Sequence, residues 1–229
     1  MTSETKPTVW ITRTAPAAFK SAAVWAEAGY AAAIAPVLEL SEPQVMPEPP
    51  VRDGVIIFTS GNAVKAFAKH TLVRHWPVVA VGWQTKRIAY DLGFRTVTSA
   101  FGTSESVTEI VMRDFSTARP IYHCCGNHVR GSITEDLREA GYRAQKDLYY
   151  LSAPVAAMPK LDTTKLDYAA FYSPLGAKTV ASFNPDLSHV TVVSLSKAID
   201  EALGTLACKA RYISAEPHEA ALIEALPTV

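Results

Sequence analysis

Val55-Ile56-Ile57-Phe58-Thr59-Ser60-Gly61-Asn62-Ala63-Val64 passes from four uninterrupted apolar residues, through a small hydroxyl-and-glycine turn, into a segment with helical spacing. An apolar run of strand length with no alternation suits a strand buried on both faces, as in a parallel sheet. The run Val55–Phe58 is therefore expected to be a strand, and Asn62–Lys69 the helix that follows it. Working outward, the same unit recurs. Val9–Thr12 precedes a helix Ala17–Ala28 that stops at Gly29, and Val78–Val81 precedes a helix Gln84–Leu92 that stops at Gly93. Thr96–Thr98 precedes a helix Ser106–Phe115. Ala31–Leu40 reads as one extended apolar segment ahead of the proline-rich stretch SEPQVMPEPP. Strands that alternate with helices indicate βαβ units around a parallel sheet.

The second half repeats the first. Glu27-Ala28-Gly29-Tyr30 returns as Glu139-Ala140-Gly141-Tyr142, and Phe58-Thr59-Ser60 as Phe171-Tyr172-Ser173. Val79-Ala80-Val81-Gly82 returns as Val192-Val193-Ser194, and Ser99-Ala100 as Ser214-Ala215, all at spacings of 112 to 115 residues. A general likeness among βα units is the simpler account. Four matches in one order at nearly one spacing favour an α/β chain of two similar Rossmann-like (flavodoxin-like) lobes with parallel sheets.

Composition narrows the function. The 229 residues are 48% hydrophobic and 19% charged, enough to bury a sizeable core. Lys plus Arg and Asp plus Glu each number 22, so the basic footprint that nucleic-acid binding requires is missing. No apolar run approaches the ~18 residues of a membrane span. The polar start MTSETKPTVWITR lacks the layout of a secretion signal, so a cytoplasmic location is expected. Cys124, Cys125 and Cys208 do not form a disulfide framework.

Ligands of open parallel sheets bind beyond the carboxyl ends of the strands. The turns there carry Thr12-Arg13-Thr14, Thr59-Ser60-Gly61-Asn62, Gly82-Trp83-Gln84-Thr85, Cys125-Gly126-Asn127, Ser173-Pro174 and Ser194-Leu195-Ser196-Lys197. Most place a hydroxyl residue or glycine directly before a helix, where unpaired N–H groups and the helix dipole attract anions. Arg13, Lys86, Arg87, Arg130, Lys178 and Lys197 lie near the same edges. Each helix terminus contributes about 0.3–1 kcal/mol. A single carboxylate is held weakly there, whereas a polycarboxylated ligand gains by summation. For any one Ser or Thr, ordinary helix capping is the simpler role.

Other chemistries fit less well. Gly126-Asn127-His128-Val129-Arg130-Gly131 has the glycine spacing of a phosphate loop, but Ser132 stands where lysine is required. His123, Cys124, Cys125 and His128 suggest a metal, yet neighbours on a strand point to opposite faces, so no metal site is expected. There is no G-x-S-x-G elbow. Tyr149 and Tyr150 share a strand, and by its period one faces a core and the other the opposite side. Both are packing residues in one reading. In the other, an outward phenol donates a hydrogen bond to a leaving oxygen.

These turns, taken in order, resemble the uroporphyrinogen-III synthase family over nearly the whole chain. The resemblance is carried by Thr12-Arg13, by Ile56 to Val64, by Val81-Gly82-Trp83-Gln84-Thr85, and by Thr103-Ser104-Glu105. It continues through Cys125-Gly126-Asn127 with Arg130, Tyr150, Phe171 to Pro174, and Ala215 with Pro217. One departure stands out: Ser194-Leu195-Ser196-Lys197 lacks the glycine and threonine usual in that turn.

The resemblance implies a lobe of residues 1–37 plus 153–229 and a lobe of 38–152, joined by linker strands near 36–41 and 148–153, with the ligand between them. It also implies that hydroxymethylbilane, a linear tetrapyrrole rich in carboxylates, is cyclised with inversion of ring D through a spiro intermediate. No cofactor is implied. Tyr150 with Thr85 would hydrogen-bond the departing hydroxyl. Arg13, Thr14, Thr59, Ser60, Asn62, Gly82, Thr103, Ser104, Asn127, Arg130, Ser173, Ser196 and Lys197 would hold the substrate. A monomer that receives its substrate from hydroxymethylbilane synthase is the expected setting. The alternative is a non-catalytic tetrapyrrole or anion sensor built on the same lobes.

Overall fold

The structure is a computed structural model and describes residues 6–227. Its strands are β1 (Thr8–Ile11), β2 (Ala31–Ile34), β3 (Leu38–Ser41), β4 (Val55–Phe58), β5 (Val78–Ala80), β6 (Val97–Ser99), β7 (Ile121–Gly126), β8 (Ala144–Pro154), β9 (Tyr168–Phe171), β10 (Leu187–Ser194) and β11 (Cys208–Ile213). Its helices are α1 (Ala17–Glu27), α2 (Gly61–His70), α3 (Trp83–Asp91), α4 (Ser104–Asp114), α5 (Ile133–Glu139), α6 (Pro174–Phe183), α7 (Lys197–Glu201) and α8 (Glu219–Glu224). The chain divides into an inserted unit, Leu40–Ser152, and a terminal unit, Met1–Glu39 with Ala153–Val229.

In the inserted unit β4 is the strand on which the sheet is built. Its four residues are fully buried, and period two sorts them into two layers. Ile56 and Phe58 pack on Ala63, Val64 and Phe67 of α2 and Ala89 of α3. Val55 and Ile57 pack on Val107, Ile110 and Val111 of α4 and on Ile133 and Leu137 of α5. Helices therefore cover both faces, which is why the run carries no polar alternation. The sheet order is β3-β8-β7-β4-β5-β6, and every pair from β8 to β6 is parallel.

The terminal unit has the same build. Trp10, Phe171 and Val192 pack on Ala177 and Val180 of α6 and Ile199 of α7. Val9, Ile11, Ala170 and Val193 pack on Ala18 and Trp25 of α1 and Leu222 of α8. Its parallel sheet runs β11-β10-β9-β1-β2. Aligned on position, β9, β10, β11, β1 and β2 occupy the places of β4, β5, β6, β7 and β8. The two sheets thus share one order, entered at different points along the chain.

Local chemistry repeats with it. Ser60 and Ser173 are both extended and cap their helices by accepting from Ala63 N–H at 3.1 Å and Gly176 N–H at 3.0 Å. Gly29 and Gly141 close α1 and α5 at φ +95° and +86°, a region that costs a side chain but not glycine. The next residue then bonds back, Tyr30 to Trp25 and Tyr142 to Leu137. The extended segment Ala31–Leu40 differs from the sequence expectation: it is two strands in two sheets. Pro36, with no N–H to donate, lies at the break, and Trp10 Nε1–H donates to the Ala35 carbonyl there at 2.7 Å.

Candidate active site

The sheet of the inserted unit reverses direction of growth between β4 and β7, the switch point at which parallel sheets open a crevice. Register places Phe58 opposite Cys124, so the turns after these two strands stand side by side. Ser60 follows β4, and its hydroxyl lies 3.2 Å from the Tyr150 hydroxyl. Ser60 Oγ already accepts the Ala63 N–H. Ser60 Oγ keeps a second lone pair and its proton, so either hydroxyl can donate in the Ser60–Tyr150 bond; with Ser60 donating, the phenol proton is available outward. The relay begins at the N-terminus of α2, where the helix dipole reinforces it. Burial, the largest influence, raises the Tyr150 pKa, so the group stays a donor at neutral pH.

Two backbone features aim this phenol. A register shift on β8 sets Tyr149 and Tyr150 against the single step from Cys125 to Gly126, and such bulges redirect side chains. Tyr149 enters the core beside Phe67, whereas Tyr150 is half-buried opposite Gly126. A Cβ at position 126 would lie only 2.4 Å from Tyr150 Cζ, so glycine is what lets the ring approach this closely.

A second chain of groups supports the neighbouring turn. Thr59 Oγ1 lies 3.1 Å from His123 Nε2, and His123 Nδ1 lies 3.2 Å from Thr134 Oγ1. His123 is buried, and desolvation, followed by the charge of Lys146, lowers its pKa to about 4. A neutral imidazole has one donor and one acceptor, which matches the two hydroxyls and fixes the Thr59 rotor.

The remaining expected residues of this unit divide into engaged and free. Asn127 is exposed and uses both ends of its amide on Ser152, accepting its N–H at 2.8 Å and donating to its carbonyl at 3.2 Å. Thr103 caps α4 in a reciprocal capping box with Ser106, and Ser104 bonds Glu105. Gly82 is the N-cap of α3. Thr85 is buried in the first turn of that helix and, among the described residues, bonds neither Ser60 nor Tyr150. The side chains of Asn62 and Arg130 make no hydrogen bond or ion pair among the described residues.

The matching edge of the terminal unit is more closed. Arg13, expected to face a ligand, is 3.5 Å from Glu219 and lies over the Tyr172 ring at 4.6 Å. Glu219 also accepts from Ser21 Oγ at 2.8 Å, Trp25 Nε1 at 2.8 Å and the Tyr172 hydroxyl at 2.6 Å. Burial first, and then the Glu219 charge, hold the Tyr172 phenol well above its usual pKa. Thr14 accepts from the Ala18 N–H with its backbone carbonyl at the start of α1. Ser173 caps α6, whereas Ser196 stands at the N-cap of α7 without a side-chain bond. Lys197, expected to meet a carboxylate of the ligand, pairs with Glu201 at 3.7 Å in an exposed ion pair. Among the described residues no three His, Cys, Asp or Glu side chains gather as metal ligands, and no helix is long and apolar enough to cross a membrane.

The family model described as uroporphyrinogen-III synthase HemD matches residues 20–224. The chain belongs to the uroporphyrinogen-III synthase family. Two solved structures share its fold. A uroporphyrinogen-III synthetase from Helicobacter pylori aligns with a TM-score of 0.65 at 17% identity, covering 96% of this chain and 97% of that one. A mutant uroporphyrinogen III synthase from Thermus thermophilus aligns with a TM-score of 0.53 at 14% identity, covering 96% of each chain. No curated protein sequence matches the chain.

Within this synthase-family chain, one group at each unit's edge escapes a reading of the sequence. His123 suggests only a metal ligand there, although a histidine on a buried strand near a Thr-Ser turn is a usable signal. Glu219 lies far from Arg13 and Trp25 in sequence, and no spacing rule joins them.

Proposed function

We propose that this chain is a uroporphyrinogen-III synthase acting as a lyase, closing hydroxymethylbilane by dehydration with inversion of ring D. The single observation that carries the residue assignment is the Ala63–Ser60–Tyr150 relay at the carboxyl edge of the inserted sheet. In this reading the outward phenol proton of Tyr150 is donated to the departing hydroxyl, which leaves as water and yields an azafulvene. The substituted carbon of ring D attacks the freed methylene and forms the spiro intermediate. The bond that ring D brought into the spiro centre then breaks, and the free α-carbon of ring D closes onto the released methylene, losing its proton, which restores the one given up by Tyr150 and leaves ring D inverted.

Hydrogen bonding to the leaving oxygen and restraint of the chain in one folded conformation are the two contributions asked of the protein. Asn62, Arg130 and the N-termini of α2, α3 and α4 hold carboxylates, and Thr59, fixed by His123, donates or accepts at a defined angle. Thr85 supports the α3 terminus. In the terminal unit Thr14, Ser173, Ser196 and Lys197 meet further carboxylates, while Arg13 stays paired with Glu219. The enzyme works as a cytoplasmic monomer supplied by hydroxymethylbilane synthase, as the family resemblance suggests. No observation favours the non-catalytic sensor.

The test is isomer analysis. Fresh hydroxymethylbilane closes by itself to isomer I. With the protein present, oxidised and separated products are expected to be mainly isomer III. Unchanged isomer I from folded protein overturns the reading.

A further inference from the structure

The chain has four tryptophans. Trp10, Trp25 and Trp76 are at most 2% exposed, whereas Trp83 is 67% exposed. Phe101 is 90% exposed. Trp83 opens α3 just after β5, and Phe101 lies in the loop after β6. These loops are tied together, because Gly102 N–H donates to the Val81 carbonyl at 2.8 Å. Gly102 takes φ +96°, which turns the chain directly after Phe101. Both rings therefore project from one corner of the carboxyl edge of the inserted sheet, where ligands of parallel sheets bind. The corner is also cationic. Arg87 lies 5.7 Å from the Trp83 ring and the first turn of α3 carries no acidic residue, whereas Lys86 lies over the Tyr90 ring.

Two exposed aromatic faces beside a guanidinium suit a ligand that offers flat π-rings with carboxylate arms. An apolar protein partner would not call for the cations, and a simple anion would not call for the rings. We propose that Trp83 and Phe101 form an aromatic corner that stacks on a pyrrole ring of the tetrapyrrole, while Arg87 pairs with a carboxylate of that ring. This deepens the synthase reading and rests on it for the choice of ligand. The corner sets affinity and ring placement. It takes no part in expulsion of the hydroxyl, which stays with Tyr150.

Since Trp83 alone of the four tryptophans is exposed, it reports directly on occupancy. Full-length protein is titrated with uroporphyrinogen III, kept reduced and colourless, while acrylamide quenching of tryptophan fluorescence is followed. Quenching is expected to fall toward the level of buried tryptophan. Trp83→Ala and Phe101→Ala, both at exposed positions, are expected to raise KM for hydroxymethylbilane about three- to tenfold with little change in kcat. Arg87→Gln should weaken binding and reduce its salt dependence.

Wild-type protein that makes isomer III, with Trp83 unprotected and KM unchanged in both alanine variants, overturns the corner and leaves the synthase reading intact. Protection of Trp83 by uroporphyrinogen III without formation of isomer III keeps the corner and removes the synthase reading. Shielding that grows with protein concentration in the absence of ligand assigns the corner to self-association and overturns the proposal.

Discussion

His123 makes the inserted unit sensitive to mild acid in a calculable way. Its folded pKa is about 4, against 6.5 for a free imidazole, because burial penalises the charged ring and Lys146 repels it. Between these values the unfolded chain binds a proton that the folded chain refuses. Stability linked to His123 is therefore complete above pH 6.5 and is lost as pH falls toward 4. The full shift corresponds to about 3 kcal/mol, of which about 2 kcal/mol is already lost at pH 5 relative to pH 7. Carboxylates titrate in the same range, so the wild type alone is not diagnostic. His123→Gln retains a donor and an acceptor for Thr59 and Thr134 and cannot titrate. Urea unfolding of both proteins at pH 7 and pH 5 should show the variant losing about 2 kcal/mol less on acidification. Imidazole NMR should show His123 still neutral at pH 5, assigned by its absence from His123→Gln. Equal acid losses in the two proteins, or a His123 ring charged by pH 5, would refute the buried neutral relay.

Four further outcomes are expected. Tyr150→Phe keeps the fold and lowers kcat for isomer III about a hundredfold in single-turnover assays; near-full turnover would remove its leaving-group role. Gly126→Ala drives a Cβ into the Tyr150 ring, so unfolding assays should show a loss of about 1–3 kcal/mol together with a fall in kcat resembling that of Tyr150→Phe. Glu219→Gln weakens the charge-assisted bonds to Arg13, Ser21, Trp25 and Tyr172, which should lower stability by about 2 kcal/mol in denaturant titrations while KM moves little. Ser194→Ala removes a fully buried hydroxyl that has no hydrogen-bond partner among the described residues, and a gain of about 1 kcal/mol is expected by the same assay.

The strands of this fold are legible because burial on both faces leaves a plain signal. Val55–Phe58 and Val78–Ala80 are apolar runs with no competing period, and the turns behind them hold capping residues. Helix starts are less so. The helix expected from Ser106 begins at Ser104, because Thr103 and Ser106 cap each other, a choice that local spacing leaves open. Ala31–Leu40 reads as continuous since both strands in it are apolar, and which sheet each joins depends on residues far away in sequence. At the site, Ser60 and Tyr150 are recognisable as types, but their meeting depends on an extra residue in β8 that has no sequence mark. Arg13 reads as free for the converse reason: its acceptor, Glu219, comes from the other end of the chain.

The two units show how one sheet order has been put to unlike uses. Ser60 and Ser173 occupy the same place and cap their helices in the same way. Yet the residue before each differs. Thr59 leads to a neutral histidine whose only demand is geometric, whereas Tyr172 is drawn into a carboxylate that also takes up Arg13, Ser21 and Trp25. The terminal edge therefore commits Arg13 and Tyr172 to its own network. The inserted edge leaves the Asn62 and Arg130 side chains unengaged among the described residues and ties Tyr150 only to the Ser60 hydroxyl. Substitutions at the first edge should act mainly through stability and those at the second mainly through turnover. That asymmetry follows from where each hydrogen bond ends, and the paired effects of Glu219→Gln and Tyr150→Phe measure it directly.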